Sequence, residues 1–229
     1  MFESIIQSIG IKPYYSDDAV VIYNADCREV LPLLPDKSID LALTDPPYGI
    51  GEARGKNKAR GHKNIGAKDY GYANWDDKPI DMPTINSILK KAKHSIIFGG
   101  NYYALPPSPC WLVWDKDNSG DFADCELLWT NFKKAVRKYL WRWNGMLQQP
   151  LSPKEYRWHP TQKPQGLVSL IIADWSDVKD LILDPFLGSG TTAYCAKKLG
   201  RKCIGIELSE KYCDIAAKRC SQTVMPLNC

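Results

Sequence analysis

No Cys-x-x-Cys pair occurs in the chain, although it holds eight cysteines: Cys27, Cys110, Cys125, Cys195, Cys203, Cys213, Cys220 and Cys229. Zinc ribbons and thioredoxin-like sites depend on that spacing, so both are excluded. The first ten residues carry Glu3 and no basic stretch, which is not the pattern of a secretory signal. The cysteines therefore read as reduced core and surface thiols rather than bridges. Histidine is scarce, at three residues, which argues against a multi-histidine metal centre; no metal is expected. No apolar run reaches the roughly 20 residues of a membrane helix, so a membrane partner is not expected and the cytoplasm is the expected location. What remains is ordinary for a globular protein: 44% apolar and 24% charged residues. A length of 229 residues supports a substantial core, and residues 1–229 read as a single domain. The net charge of +4 is too mild to name nucleic acid as a partner by itself.

The chain is organised around Thr44-Asp45-Pro46-Pro47-Tyr48-Gly49. Residues 39–43 before it form a short apolar run with the pattern of a buried strand. Two prolines cannot donate backbone hydrogen bonds, each fixes its own φ, and each pushes the preceding residue out of helical geometry. A strand must end here in a stiff turn that holds one carboxylate and one aromatic ring. In an open α/β sheet such a turn lies where ligands bind. Asp45 offers an anionic acceptor and the Pro46 carbonyl a neutral one. Together they can take both hydrogens of a planar amino group and sharpen its lone pair. Tyr48 offers a face for a base, worth about 1–3 kcal/mol of stacking.

Upstream, residues 19–23 read as a strand ending at Asn24-Ala25-Asp26-Cys27, followed by a short helix over 28–34 that Pro35 stops. Strand, helix, strand implies a parallel crossover that sets Asp26 and Asp45 on neighbouring strand tips. Residues 50–72 interleave Arg54, Lys56, Lys58, Arg60, His62, Lys63 and Lys68 with glycines and cannot form a core. A basic loop beside an aromatic pocket favours phosphate contact. A helix is expected over 82–93, with strands over 95–98, 110–114, 126–130 and 136–143, the last two as a hairpin. Residues 144–158 read as irregular. His159-Pro160-Thr161-Gln162-Lys163-Pro164 precedes a helix over 167–175.

A second chemical site follows. A strand over 181–183 runs into Asp184-Pro185-Phe186-Leu187-Gly188-Ser189-Gly190-Thr191-Thr192, then come a helix over 193–199, a strand over 202–206 ending at Glu207, and a helix over 210–219. Glycine turn, helix, strand and acid form the logic of a nucleotide-type cofactor site. No lysine follows Gly190, so this is not a phosphate loop. Asp184 would repel a pyrophosphate but suits an ammonium, and Glu207 can accept from ribose hydroxyls. A cofactor with a ribose, an amino-acid moiety and no phosphate fits, namely S-adenosylmethionine.

These motifs, in this order, resemble the β-class amino-methyltransferases of DNA, which share the DPPY turn, the HPTQKP-like segment and the DPFxGSGTT segment. The resemblance spans residues 19–221. It implies a Rossmann-like, seven-stranded, mostly parallel α/β sheet with helices on both faces and a circularly permuted motif order. It also implies Asp45, Pro46, Pro47 and Tyr48 as the catalytic turn. Asp184, Phe186, Gly188, Ser189, Gly190 and Thr191 match the loop around the methionine part of the cofactor, with Asp45 close by. Glu207 matches the ribose acid, Asp26 with Cys27 the adenine-edge position, and Lys163 a partner for the cofactor carboxylate. DNA is the implied partner, through Arg54, Lys56, Lys58, Arg60 and Lys63, with residues 50–72 and 115–158 as DNA-contacting insertions. A homodimer stays open beside a monomer. Asp at the head of the turn favours adenine N6 as the target. Cytosine N4, a catalytically silent DNA-binding module, and an RNA or protein-glutamine methyltransferase are the competing readings.

Overall fold

The computed structural model describes residues 2–50, 78–117, 123–144, 147–149, 154–159 and 161–222. In chain order it contains α1 (Phe2–Ile9), β1 (Tyr15–Ser16), β2 (Val20–Asn24), α2 (Cys27–Val30), β3 (Ile39–Thr44), α3 (Met82–Lys91), β4 (Ala92–Phe98), β5 (Trp111–Asp115), β6 (Cys125–Thr130) and β7 (Arg137–Leu140). Then follow β8 (Trp143–Asn144), β9 (Leu147–Gln148), α4 (Gln165–Trp175), β10 (Leu181–Asp184), α5 (Thr191–Lys198), β11 (Lys202–Glu207) and α6 (Glu210–Ser221).

Alternation along the strands feeds two cores, one on each face of the sheet. Val20, Ile22, Leu41 and Leu43 pack with Leu167, Ile171, Ala193, Cys195 and Cys213 from α4, α5 and α6. Val21, Tyr23, Ile39 and Ala42 point the other way, toward Ile5, Val30, Ile85 and Ile88 from α1, α2 and α3. Strands buried on both faces read as near-continuous apolar runs, which is why β2 and β3 stand out in the sequence. Each such Ile or Leu, fully buried, contributes about 1.5–3 kcal/mol relative to exposure.

The main sheet runs β1-β2-β11-β10-β3-β4-β6-β5-β7. The strands from β2 to β4 are all parallel, while β6 is antiparallel to both of its neighbours. The fold class is the Rossmann-like one expected. The main sheet has nine strands among the described residues rather than seven, because β1 adds an antiparallel edge and β7 closes the other side.

Three expectations need correction. β2 and β3 are not neighbours: β11 and β10 lie between them, so the segment containing α2 crosses two strands, and Asp26 and Asp45 are not on adjacent tips. The hairpin is β5–β6, and β7 instead pairs in parallel with β5, because β6 is already bonded on both sides. Helix α3 stops at Lys91 because Ala92 enters the ladder opposite Ile39. The α1 helix and β1 were not anticipated. Most of residues 144–158 lies outside regular structure or the described residues, although β9 pairs with β8 there.

From β10 the chain moves to β11 on one side, and from β3 it moves to β4 on the other. The direction of winding therefore reverses between β10 and β3. At such a switch point the loops part and leave a crevice at the carboxyl ends of the strands. The two chemical turns predicted from sequence flank it.

Candidate active site

Asp184 ends β10 and Thr44 ends β3, and the Thr44 hydroxyl donates to Asp184 Oδ1 at 2.8 Å. This buried bond ties the two turns together across the switch point. The Phe186 amide donates to the same oxygen at 3.2 Å. Burial, partly offset by these donors and by Thr192, pushes the Asp184 carboxyl up to about 6.

Asp45, one residue beyond Thr44, is held differently. Its Oδ1 accepts from the Tyr48 hydroxyl, and its Oδ2 accepts from Lys163 Nζ at 2.5 Å. The Lys163 ammonium also faces Glu126 Oε2 at 3.7 Å, and Glu126 Oε1 pairs with Lys116 at 2.6 Å. Burial raises the Asp45 carboxyl, against the pull of Lys163. Burial also works against the Lys163 ammonium, but the two carboxylates outweigh it and raise that group. The Tyr48 phenol is raised well above its ordinary value by burial and by Asp45, so it stays protonated and donates.

The aromatic floor is built from two stretches. Tyr48 stacks on Tyr102 with centroids 4.9 Å apart and planes 13° from parallel. Tyr102 lies on the 3-10 turn Gly100–Tyr102 after β4 and is 48% exposed. Gly99 has a φ of +61°, and a Cβ there would stand 2.3 Å from the Tyr48 ring, so only glycine fits. Tyr103 donates to the Pro47 carbonyl at 2.5 Å, and the Ile80 amide donates to it at 3.2 Å. Neither tyrosine nor Glu126 was singled out from the sequence. A charge inside the apolar run of β6 was the available signal for Glu126.

At the tip of β11, Glu207 Oε2 accepts from the Gly188 amide at 2.8 Å and Oε1 from the Ser209 amide at 2.7 Å. The acid thereby fixes the glycine turn. Gly190 has a φ of +82°, and a Cβ would meet Ala216 at 2.6 Å, which brings α6 hard against the turn. From α6, Arg219 Nη1 donates to the Ser189 carbonyl at 2.5 Å and lies 3.3 Å from Thr191 Oγ1. Ser189 Oγ donates to Gln162 Oε1 at 3.1 Å. Gln162 in turn donates to Glu155 at 2.7 Å. The HPTQKP segment is thus pinned to the glycine turn by one of its residues and to Asp45 by the next.

A family model described as DNA methylase matches residues 111–218. The type II methyltransferase M.HinfI of Haemophilus influenzae is 30% identical over 259 residues, covering 91% of this chain and 70% of that protein. The chain belongs to the DNA amino-methyltransferases of the N6/N4 class. The type II methyltransferase M2.LlaDCHI of Lactococcus lactis subsp. cremoris, 27% identical over 250 residues, covers 91% of both chains. Among solved structures, an M1.HpyAVI–SAM complex is 27% identical with a TM-score of 0.55, over 87% of this chain and 99% of that one. The PvuII cytosine-N4-specific DNA methyltransferase, 20% identical with a TM-score of 0.61 over 92% and 89%, shares the fold.

In this DNA amino-methyltransferase the expected site residues fall into four groups. Asp45, Pro46, Pro47, Tyr48, Lys163, Asp184, Phe186, Gly188 and Glu207 gather at the tips of β3, β10 and β11 and on the segment before α4. Ser189, Gly190 and Thr191 belong to the same turn, but the two side chains point into the protein toward Arg219 and Gln162. Asp26 and Cys27 lie one strand beyond Glu207, past β2. There Asp26 caps α2 and pairs with Arg28, which lowers its carboxyl, while Cys27 is buried. Arg54, Lys56, Lys58, Arg60 and Lys63 lie outside the described residues. Among the described residues, no group of three His, Cys, Asp or Glu could hold a metal ion. None of their helices is long and apolar enough to cross a membrane.

The donor set fits S-adenosylmethionine. A Cβ at Gly188 would meet nothing within 4 Å, so the turn leaves room on that side, and Glu207 stands at its rim. Asp184 and Glu207 bring negative charge and no lysine follows Gly190, which suits a ribose and an amino acid rather than a phosphate.

Proposed function

We propose that this chain transfers a methyl group from S-adenosylmethionine to the N6 amine of adenine in DNA. The observation that carries the reading is the Thr44–Asp184 bond of 2.8 Å, which draws the DPPY turn and the glycine turn onto one crevice. Adenine rather than cytosine rests on the Asp that heads the turn.

When bound, S-adenosylmethionine supplies a methyl group on a positively charged sulfur. The residues of the chain supply the rest. The target amine cannot be reached inside a duplex, so the base is extruded into the crevice. Tyr48 and its neighbour Tyr102 offer the stacking surface, worth about 1–3 kcal/mol. Asp45 Oδ2 and the Pro46 carbonyl accept the two amino hydrogens. The Pro47 carbonyl is occupied by Tyr103 and Ile80, which fixes the turn so that its neighbour can face the base. Asp45, raised by burial, can take the proton that the alkylated nitrogen loses. The rate comes from positioning and oriented acceptors.

Around this centre, residues 1–229 act as one domain. Residues 50–72 and 115–158 reach the DNA, with Arg54, Lys56, Lys58, Arg60 and Lys63 on the phosphates. The cytoplasm is the proposed place of action.

The test is to methylate DNA with the purified protein, digest it to nucleosides and weigh the modified base. N6-methyladenine supports the reading, whereas N4-methylcytosine overturns the choice of base but leaves the chemistry of the turn intact.

A further inference from the structure

Lys163, matched from the sequence to the cofactor carboxylate, lies on Asp45 and Glu126 in the structure and has no place in that scheme. Asp45 Oδ2, the oxygen offered to the amine, already carries the Lys163 ammonium at 2.5 Å. An oxygen that a cation holds this closely keeps a second lone pair, but it is a weaker acceptor for the amine of a base. The ammonium also lies over the rings of Phe98 at 5.1 Å and Tyr48 at 5.7 Å, the second being the ring proposed to stack the base. The same ammonium is paired with Glu126 Oε2, a buried oxygen, at 3.7 Å, longer than a direct hydrogen bond. The other oxygen of Glu126 is fixed by Lys116. A buried carboxylate oxygen whose nearest donor stands this far off gains by drawing it closer. Lys163 has three donors and a flexible stem, so a short swing completes that bond.

We propose that Glu126 is a positioning residue for methyl transfer, drawing the Lys163 ammonium off Asp45 so that Oδ2 is free for the amino group of the target base. In the structure described, Lys163 closes the acceptor; with the base in place it rests on Glu126. The exchange moves no proton, since the ammonium and both carboxylates keep their charges and only the pairing changes. The inference rests on Asp45 being the amine acceptor and adds the device that opens it.

The test compares Glu126→Gln, Lys163→Met and the double variant in single-turnover transfer of tritiated methyl to DNA, with both substrates saturating. Glu126→Gln is expected to slow transfer by about tenfold or more, as misplaced reacting groups do, while cofactor and DNA affinities stay within about twofold. In the Lys163→Met background the same change is expected to cost less than about twofold, since two residues acting through one contact are not additive.

A pH profile separates this role from a structural one. Asp45 is faced by Lys163, Glu126 and Tyr48, with Asp184 behind Thr44 and Lys116 behind Glu126. Glu126 raises the Asp45 carboxyl, so Glu126→Gln moves the acid limb of the rate to lower pH even as the plateau falls. Glu126→Asp restores part of the plateau. Wild-type rates in Glu126→Gln, equal multiplicative losses in both backgrounds, or an acid limb that stays in place would each overturn the proposal. If Asp45→Ala retains transfer, the underlying reading of the turn has failed instead; an inactive Asp45→Ala beside a fully active Glu126→Gln removes only this inference.

Discussion

Asp184 and Asp45 cap adjacent parallel strands and are linked through Thr44, yet their surroundings are opposite. Asp184 is 4% exposed and surrounded by neutral donors, whereas the Asp45 side chain is 24% exposed and faces a lysine, a second carboxylate and a phenol. The first environment holds a geometry. The second holds an ammonium with two carboxylates to choose between, which suits the proposed acceptor. One strand tip thus joins the halves of the site while its neighbour carries the proposed acceptor.

The strongest challenge to that division is Asp45→Ala. Methyl transfer should fall by about a thousandfold or more, as when an oriented electrostatic partner is removed, while DNA binding is largely kept; filter binding and tritium transfer measure the two. Near wild-type transfer would erase the distinction between the two acids.

Next in size is the pH dependence of stability through Asp184. Its folded-state value, about 6, lies above the ordinary 3.8 of an aspartate, so the folded protein holds this proton more tightly than the unfolded chain. Its contribution to stability is greatest below about 3.8, declines as pH rises to about 6, and is level beyond, a change of up to about 3 kcal/mol. Denaturant titrations at several pH values should show that decline in the wild type and lose it in Asp184→Asn.

Thr44→Val sharpens the comparison further. It leaves Asp184 short of one donor and should cost about 1–3 kcal/mol of stability, the usual penalty for a buried acceptor left unpaired. Cofactor affinity and methyl transfer should both weaken, because the two turns lose their tie. The smallest effect belongs to a third acid outside the switch point. Arg28→Ala breaks the exposed pair with Asp26 and should change stability by under about 1 kcal/mol, as surface ion pairs do.

Much of the candidate site was legible because its residues lie in local punctuation. The double proline, the glycine turn and Glu207 each follow an apolar strand, and period and turn chemistry find such positions. Strand order was less legible. Residues 19–45 look like a self-contained unit, and nothing local announces that residues 181–207 will insert between its strands. Pairing over such separations is decided by which faces the helices can cover. The same holds for the hairpin: β6 and β7 are consecutive, but β6 had already bonded β4 and β5. Tyr102 and Glu126 escaped notice for a related reason, since each matters through a partner more than twenty residues away.

The insertion of β10 and β11 between β2 and β3 also has a consequence for synthesis. As the chain leaves the ribosome, its first two long strands can bond neither each other nor anything yet made on their facing sides. Two raw edges stay open until residues 181–207 emerge, and such edges invite pairing with other chains. Nascent chains halted before that point should be the ones that chaperones hold.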